Sequence, residues 1–276
     1  MTKLAPILSP AEVEAYRRDG FLVPRLRFEG DELRELQQLT DRLLQNNPQV
    51  TDGMIGSPHI QSGKGAQRVR TEPGWMNIAA HPKLVKMIGE LIGPDVVLWT
   101  STVFHKPPRK GPATPWHRDG AFYPIRPLET ISAWIAVFES VKENGCLRIL
   151  PGSHKNRSVG AHRGGHWSKE DEGGALAPSE IDEARAVDVP LQPGQMVLFD
   201  VYTAHASWPN LGTKPRAGYA VRFFPASSHY DHDAGDELYK VAGGVRNREL
   251  ILVSGQDRAG NRFGDIDAAP AQAVAG

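Results

Sequence analysis

Val96-Val97-Leu98-Trp99-Thr100-Ser101-Thr102-Val103-Phe104 is the stretch on which the fold turns. β-Branched and aromatic side chains dominate it, which is strand chemistry. Downstream, residues 131–138 follow suit. Ile131, Ala133, Ile135 and Val137 fall on one face, and Ser132, Trp134, Ala136 and Phe138 on the other. Shorter strands fit residues 147–150, 186–189, 195–199 and 219–224. Turn residues separate them: Asn144-Gly145, Pro151-Gly152, Pro193-Gly194 and the stretch 210–215. Upstream, the texture is helical. Ser9-Pro10-Ala11-Glu12 reads as a capping box with proline at the first helical position. That helix runs to Asp19 and stops at Gly20, before a short strand over 21–23. A second helix fits 31–46, with Leu33, Leu36, Leu39, Leu43 and Leu44 on one stripe. A third fits 81–92 and ends at Gly93-Pro94. Between the last two lies a polar, Gly-rich stretch, 51–74, too long for a simple connector and therefore functional or disordered.

Helices first and strands afterwards predict an α+β, mainly β domain with a jelly-roll core and flanking N-terminal helices. One domain of 276 residues is expected: a helical part over about 9–95, the core over about 96–225, and a C-terminal extension over 226–276. A polar insertion spans roughly 155–183, and the Ala-rich tail from Ala268 reads as disordered. The 28 glycines and 22 prolines exceed the usual combined share of ~12 % and match a turn-rich β fold.

The charge balance, 32 Lys+Arg against 32 Asp+Glu, argues against a nucleic-acid partner. No apolar run approaches the ~20 residues of a membrane span, and residues 3–18 hold no signal-peptide core. The one cysteine excludes an internal disulfide and a Cys-held metal cluster. A cytoplasmic protein without membrane or nucleic-acid partners is expected.

The strongest chemical constellation is Trp116-His117-Arg118-Asp119-Gly120. In an extended segment His117 and Asp119 share a face and Arg118 takes the other. An imidazole and a carboxylate side by side are two of the three ligands of a 2-His-1-carboxylate site for Fe(II), and His205 is the candidate third. Three ligands on one face leave room for a bidentate 2-oxo acid and dioxygen. Taken alone, His117 reads more readily as a satisfied core or loop histidine than as a ligand. Arg216 changes the balance. The turn between His205 and Arg216 can return the chain antiparallel and bring a guanidinium near the metal strand, where it can grip a carboxylate in a bidentate fork; otherwise Arg216 is a solvated strand end. Ser207 would share the face of His205 and could donate a hydrogen bond.

The pattern His117-x-Asp119, His205-x-Ser207-x-x-Asn210 and Arg216 resembles the phytanoyl-CoA dioxygenase family of Fe(II)/2-oxoglutarate oxygenases. Tyr16-Arg17-Arg18-Asp19-Gly20-Phe21, Lys106-Pro107-Pro108, Glu143-Asn144-Gly145-Cys146-Leu147 and Pro151-Gly152-Ser153-His154 resemble further family segments, so the likeness runs from about residue 9 to 225. It implies a double-stranded β-helix of the cupin-like, jelly-roll type. It implies His117, Asp119 and His205 as catalytic iron ligands, Arg216 as the 2-oxoglutarate clamp with Ser207 beside it, and Trp134 and Thr102 as walls of that cosubstrate pocket. The cofactors implied are Fe(II), 2-oxoglutarate and O2, with succinate and CO2 released as an unactivated C–H of a small molecule is hydroxylated. Halogenating relatives replace the carboxylate ligand with a small residue, so Asp119 favours hydroxylation or another oxidation.

Phe122, Tyr123 and Arg126 flank the metal strand as candidate substrate contacts. With His59, Arg68 and Arg70 from the long polar loop they would form a basic lining suited to a small anionic substrate. Two other classes fit a jelly roll: a cupin-type metal enzyme that does not use 2-oxoglutarate, and a non-catalytic binding protein. The first usually carries more histidines and a glutamate, and no glutamate follows His117 before Glu129. His162 and His166 lie in a Gly-rich stretch that disfavours a helix. His229-Tyr230-Asp231-His232-Asp233 reads as a polar loop after the last strand. Gly63-x-Gly65 has Arg68 where a dinucleotide fingerprint needs glycine, and Cys146 reads as packing.

Overall fold

The computed structural model describes residues 5–50, 53–60, 69–160, 175–232 and 249–264. The capping box forms: the Glu12 N–H donates to Ser9 Oγ and the Ser9 N–H to the Glu12 carboxylate, opening helix α1 (Pro10–Asp19). Gly20 closes it in the left-handed region at φ 79°. A Cβ there would also meet His154 Nδ1 at 2.3 Å, so only glycine lets this helix end pack on the 153–156 turn. Strand β1 (Phe21–Leu22), helix α2 (Gly30–Asn46), strand β2 (Met54–Gly56) and helices α3 (Gly74–Ala79) and α4 (Pro82–Ile92) follow. β2 and α3 lie within and beside the stretch read as one long loop. Each is shorter than the window in which a hydrophobic period can show.

The strands are β3 (Val96–Lys106), β4 (Thr114–His117), β5 (Ile125–Arg126), β6 (Ile131–Ala136), β7 (Leu147–Ile149), β8 (Val187–Val189), β9 (Met196–Asp200), β10 (His205–Ser207), β11 (Arg216–Pro225), β12 (His229–Tyr230) and β13 (Ile251–Ser254). A major sheet runs β1-β9-β6-β11-β3-β13, with β2 also on β3. A minor sheet runs β4-β10-β7-β8, and β12 pairs β5. The two sheets face each other: Trp134, Val197, Phe199 and Ala220 of the major sheet share one buried cluster with Leu147, Ile149 and Val189 of the minor. This is the expected jelly roll. Its major sheet also recruits β1, β2 and β13 from outside 96–225.

β11 shows how the sequence sorts the two faces. Ala217, Tyr219, Val221 and Phe223 join the core beneath the helices, with Leu36, Leu39, Leu84 and Ile88. The alternate residues, Arg216, Gly218, Ala220 and Arg222, face the jelly-roll interior. Apolar side chains glue the sheet to its helices; small and cationic ones line the inside. Phe138 departs from the expected alternation and packs on the helix side, because β6 ends at Ala136.

The segment read as a polar loop at 229–233 is corrected for its described part. His229 and Tyr230 form β12, Tyr230 is fully buried, and β13 follows on the edge of the major sheet. Two residues are too few to show strand alternation, and Tyr230 owes its burial to Trp99, far away in sequence. His162, His166, Gly63, Gly65, Arg68 and the tail from Ala268 lie outside the described residues. No helix among the described residues is long and apolar enough to cross a membrane.

Candidate metal centre

β4 delivers His117 at its last position, and the chain stays extended through Arg118 before a 3-10 turn begins at Asp119. The expected split of faces follows. Arg118 turns to Tyr202 O (3.1 Å) and Glu180 (3.0 Å), away from the histidines. β10 pairs antiparallel with β4 and sets His205 directly opposite His117, with ring centroids 4.1 Å apart. The Nε2 atoms of His117 and His205 lie 3.6 and 3.8 Å from Asp119 Oδ1. Each Nδ1 faces the carbonyl two residues back, Pro115 O at 2.9 Å and Thr203 O at 3.0 Å. That contact places the proton on Nδ1 and frees both Nε2 lone pairs toward the carboxylate, the arrangement a divalent metal needs. Among the described residues this trio is the only cluster of at least three potential ligands, with donor atoms within 4.8 Å of one another.

A row of the major sheet fixes the carboxylate from behind. Arg222 pairs with Ser132 on β6 and Thr100 on β3. Ser132 Oγ (3.3 Å) and Arg222 Nε (3.4 Å) both donate to Asp119 Oδ2, leaving Oδ1 for the histidines. Burial pushes the Asp119 carboxyl up, but the Arg222 guanidinium and the two imidazoles override it and hold the group well below the usual carboxylate range. Burial, with His117 alongside, pushes His205 down to about 4.

A pH dependence follows. His205 takes up a proton near pH 6.5 in the unfolded chain, but in the folded chain only near 4. Between those values the unfolded state binds more protons, so the metal-free protein loses stability as pH falls through that window. The loss is on the order of 3 kcal/mol. Asp119 contributes only below the ordinary carboxylate range, outside the window. Urea unfolding of metal-free protein at pH 7 and pH 5 should show about 2 kcal/mol of that loss, and His205→Gln should shrink the drop, leaving the part due to His105, which burial also pushes down. An equal drop in the variant contradicts the assignment.

Arg216 arrives by a different route from the one expected. β10 and β11 do not pair; the turn carries the chain from the minor to the major sheet, where Arg216 pairs with Lys106. The guanidinium is 2 % exposed, lies 4.7 Å from the Trp134 ring centroid, and its Nε has no hydrogen-bond partner. Burial pushes it down to about 10. It is therefore no solvated strand end but a buried cation short of an acceptor, which fits an incoming carboxylate. Trp134 can lie across β11 only because residue 218 is glycine, where a Cβ would meet the ring at 1.8 Å. Ser207 faces the same interior and accepts from the Lys106 ammonium at 2.7 Å. Thr102 accepts from Arg222 at 3.2 Å and shares a row with Ala220 and Trp134.

Of the candidate substrate contacts, Tyr123 is buried edge-on against Trp99. Arg126 is exposed and spends its guanidinium on Tyr123 O and Ile125 O. Phe122 ends the 3-10 turn, and its side chain is outside the described part. His59 is not in the interior: it bonds Ser101, whose other partner is Tyr219 of the helix-side core. Arg70 is exposed. The expected basic lining is thus not assembled by His59, Arg70 and Arg126. Cys146 is buried, with its thiol pushed up to about 11 by burial, as packing requires. Sequence reading missed Arg222, Ser132 and Lys106 as site residues. Arg222 had a signal, since it lies an even number of residues after Arg216 on one strand; so did Ser132, on the Trp134 face of β6.

Known proteins share this arrangement of sheets. Ectoine dioxygenase of Sphingopyxis alaskensis is 26 % identical over 251 residues, 86 % of this chain and 82 % of that one. The fold is similar to that of ThoJ, a non-heme monooxygenase, with TM-score 0.70 and 24 % identity over 91 % of this chain and 86 % of that one. CytC3, solved with Fe(II) and α-ketoglutarate, gives TM-score 0.66 and 25 % identity over 93 % of each chain. The family model for phytanoyl-CoA dioxygenase (PhyH) matches residues 16–218. With that match on a jelly roll holding a buried His-Asp-His site, the chain belongs to the phytanoyl-CoA dioxygenase family, and it is a non-haem dioxygenase dependent on Fe(II) and 2-oxoglutarate.

Proposed function

We propose that the protein hydroxylates an unactivated C–H bond of a small molecule, with release of succinate and CO2. The observation that carries this is the pairing of a His117–Asp119–His205 cluster with a buried, partner-short Arg216 on the same interior. Iron and 2-oxoglutarate together supply dioxygen activation coupled to loss of CO2 from the keto acid. His117, Asp119 and His205 would hold the metal, each imidazole aimed by its own carbonyl. Arg216 receives the distal carboxylate of 2-oxoglutarate, with Trp134 along its guanidinium. Ser207 and Thr102 complete that pocket, and Lys106 orients the Ser207 hydroxyl. The buried interior of Val197, Phe199 and Ala220 excludes water from the reacting atoms. Asp119 occupies the third ligand position as a carboxylate, which favours hydroxyl transfer over halogenation. A small-molecule substrate accords with the ectoine dioxygenase to which the chain is similar.

The test is a succinate-release screen over a metabolite library, with substrate-independent turnover subtracted and products analysed after reaction under 18O2. One labelled oxygen in the product is the expected result. A product formed without it makes the outcome another oxidation, and turnover without 2-oxoglutarate sinks the reading in favour of a cupin-type enzyme.

A further inference from the structure

We propose that Lys106 is a positioning residue that makes the cosubstrate pocket select a 2-oxo acid with a second carboxylate: its ammonium bridges the two sheets to Ser207 and leaves that hydroxyl's proton for the incoming carboxylate. This deepens the reading above and rests on it. Lys106 ends β3 directly opposite Arg216, so the two side chains enter the same interior. Both residues are buried, Lys106 at 5 % and Arg216 at 2 % exposure. From the major sheet the ammonium crosses to the minor one, where it donates to Ser207 Oγ at 2.7 Å and to Trp208 O at 2.5 Å. An ammonium can only donate, so Ser207 must accept from it, and the single proton of the hydroxyl is left for another acceptor. Arg216 Nε also lacks an acceptor, and one carboxylate can answer both needs. Two cations set directly opposite repel each other, so an anion is a better occupant beside them than a neutral group.

The surroundings of Lys106 give a task to sequence segments that the metal does not use. Lys106-Pro107-Pro108, Asn144-Gly145 and Asn210 meet at this one side chain. Asn210 is fully buried and donates to Lys106 O at 3.0 Å and to Lys214 O at 2.9 Å. It thereby ties the end of β3 to the turn that leads into Arg216. The alkyl stem of Lys106 runs between two glycines. A Cβ on Gly145 would meet Trp208 O at 2.6 Å and Lys106 Cδ at 3.0 Å, and one on Gly111 would meet Lys106 Cβ at 2.5 Å. Closed in on both sides, the stem aims its ammonium at the corner formed by Ser207 and Trp208. The hydroxyl is therefore set before cosubstrate arrives, and little side-chain freedom is left to lose on binding.

The experiment reads binding rather than turnover, by calorimetry on the full, Mn(II)-loaded chain. Two probes are compared: 2-oxoglutarate, and 2-oxopentanoate, which has a methyl group in place of the distal carboxylate. Lys106→Met keeps most of the stem and removes the ammonium. It should weaken 2-oxoglutarate about ten- to a hundredfold and leave 2-oxopentanoate unchanged. Ser207→Ala should weaken 2-oxoglutarate about tenfold, again without touching 2-oxopentanoate. The double variant should bind 2-oxoglutarate about as Lys106→Met does, because without the ammonium the hydroxyl is no longer set. Unchanged 2-oxoglutarate affinity in Lys106→Met overturns the proposal, as do losses that simply multiply. Equal weakening of both keto acids also overturns it and makes Lys106 a residue that only holds the fold. If Lys106→Met does not fold, Lys106→Gln, which keeps a polar group in the cradle, is read by the same comparison of the two probes. A wild-type chain that binds the two keto acids alike is a different failure, that of the cosubstrate reading, and removes both.

Discussion

His205→Ala is expected to lower Fe(II) affinity about a hundredfold and to abolish succinate formation at ordinary iron concentrations. Structural zinc sites gain ~10–16 kcal/mol from four ligands, or about 2.5–4 kcal/mol per ligand, and Fe(II) binds the same donors more weakly. At 1.4 kcal/mol per decade, losing one imidazole removes about two orders of magnitude. The effect should be specific to the metal. His205 is 6 % exposed in the interior, and in the metal-free chain its ring is kept neutral by burial rather than paired as a cation. Truncation therefore removes packing, at a cost of a few kcal/mol, without stranding a buried charge. His117→Ala should behave alike, since the two rings make mirror-image carbonyl contacts and flank the same oxygen. Fe(II) titration with near-ultraviolet circular dichroism as a folding control checks both. Iron-dependent turnover that persists undiminished in the two folded variants removes the assignment of these side chains as the iron ligands.

What the sequence could reveal of this site tracks how local each feature is. His117 and Asp119 were legible because two residues of extended chain suffice to put them on one side, and the backbone stays extended through Arg118. The capping box at Ser9 was legible for the same reason, since its partners are three residues apart. Arg216 was identified but its path was not. Turn residues encode a reversal of direction and not which sheet receives the next strand, so the crossing from β10 to β11 left no local mark. Arg222 and Ser132 matter because of a register spanning β3, β11 and β6, three strands spread over more than a hundred residues of chain. No short window contains that register. The same holds for Trp99, whose place beside Tyr123 follows from one extra residue in a strand pairing.

Arg216→Met carries the second large effect, and its signature is a split between binding and stability. Truncating one partner of a buried charge pair costs about 2–5 kcal/mol, so the dissociation constant of 2-oxoglutarate should rise between about thirtyfold and a few thousandfold. KM for 2-oxoglutarate should rise with it, while turnover at saturating cosubstrate changes far less, because the distal carboxylate is gripped equally before and during reaction. In the absence of 2-oxoglutarate the prediction reverses sign. There Arg216 is a buried cation whose Nε has no acceptor, and whose protonated form burial disfavours. An apolar side chain of similar length against Trp134 removes that desolvation penalty. Ligand-free Arg216→Met should therefore melt no lower than the wild type, and should lose the stabilisation that 2-oxoglutarate gives the metal-loaded wild type. A residue serving only as a strand end would give the opposite pattern, with a lowered melting point and an unmoved 2-oxoglutarate requirement. Calorimetric titration with 2-oxoglutarate on the Mn(II)-loaded chain, beside thermal melts with and without the keto acid, separates the two. The comparison is decisive because one side chain must weaken the fold when its pocket is empty and strengthen it when the pocket is filled, which follows only if the missing acceptor belongs to the cosubstrate.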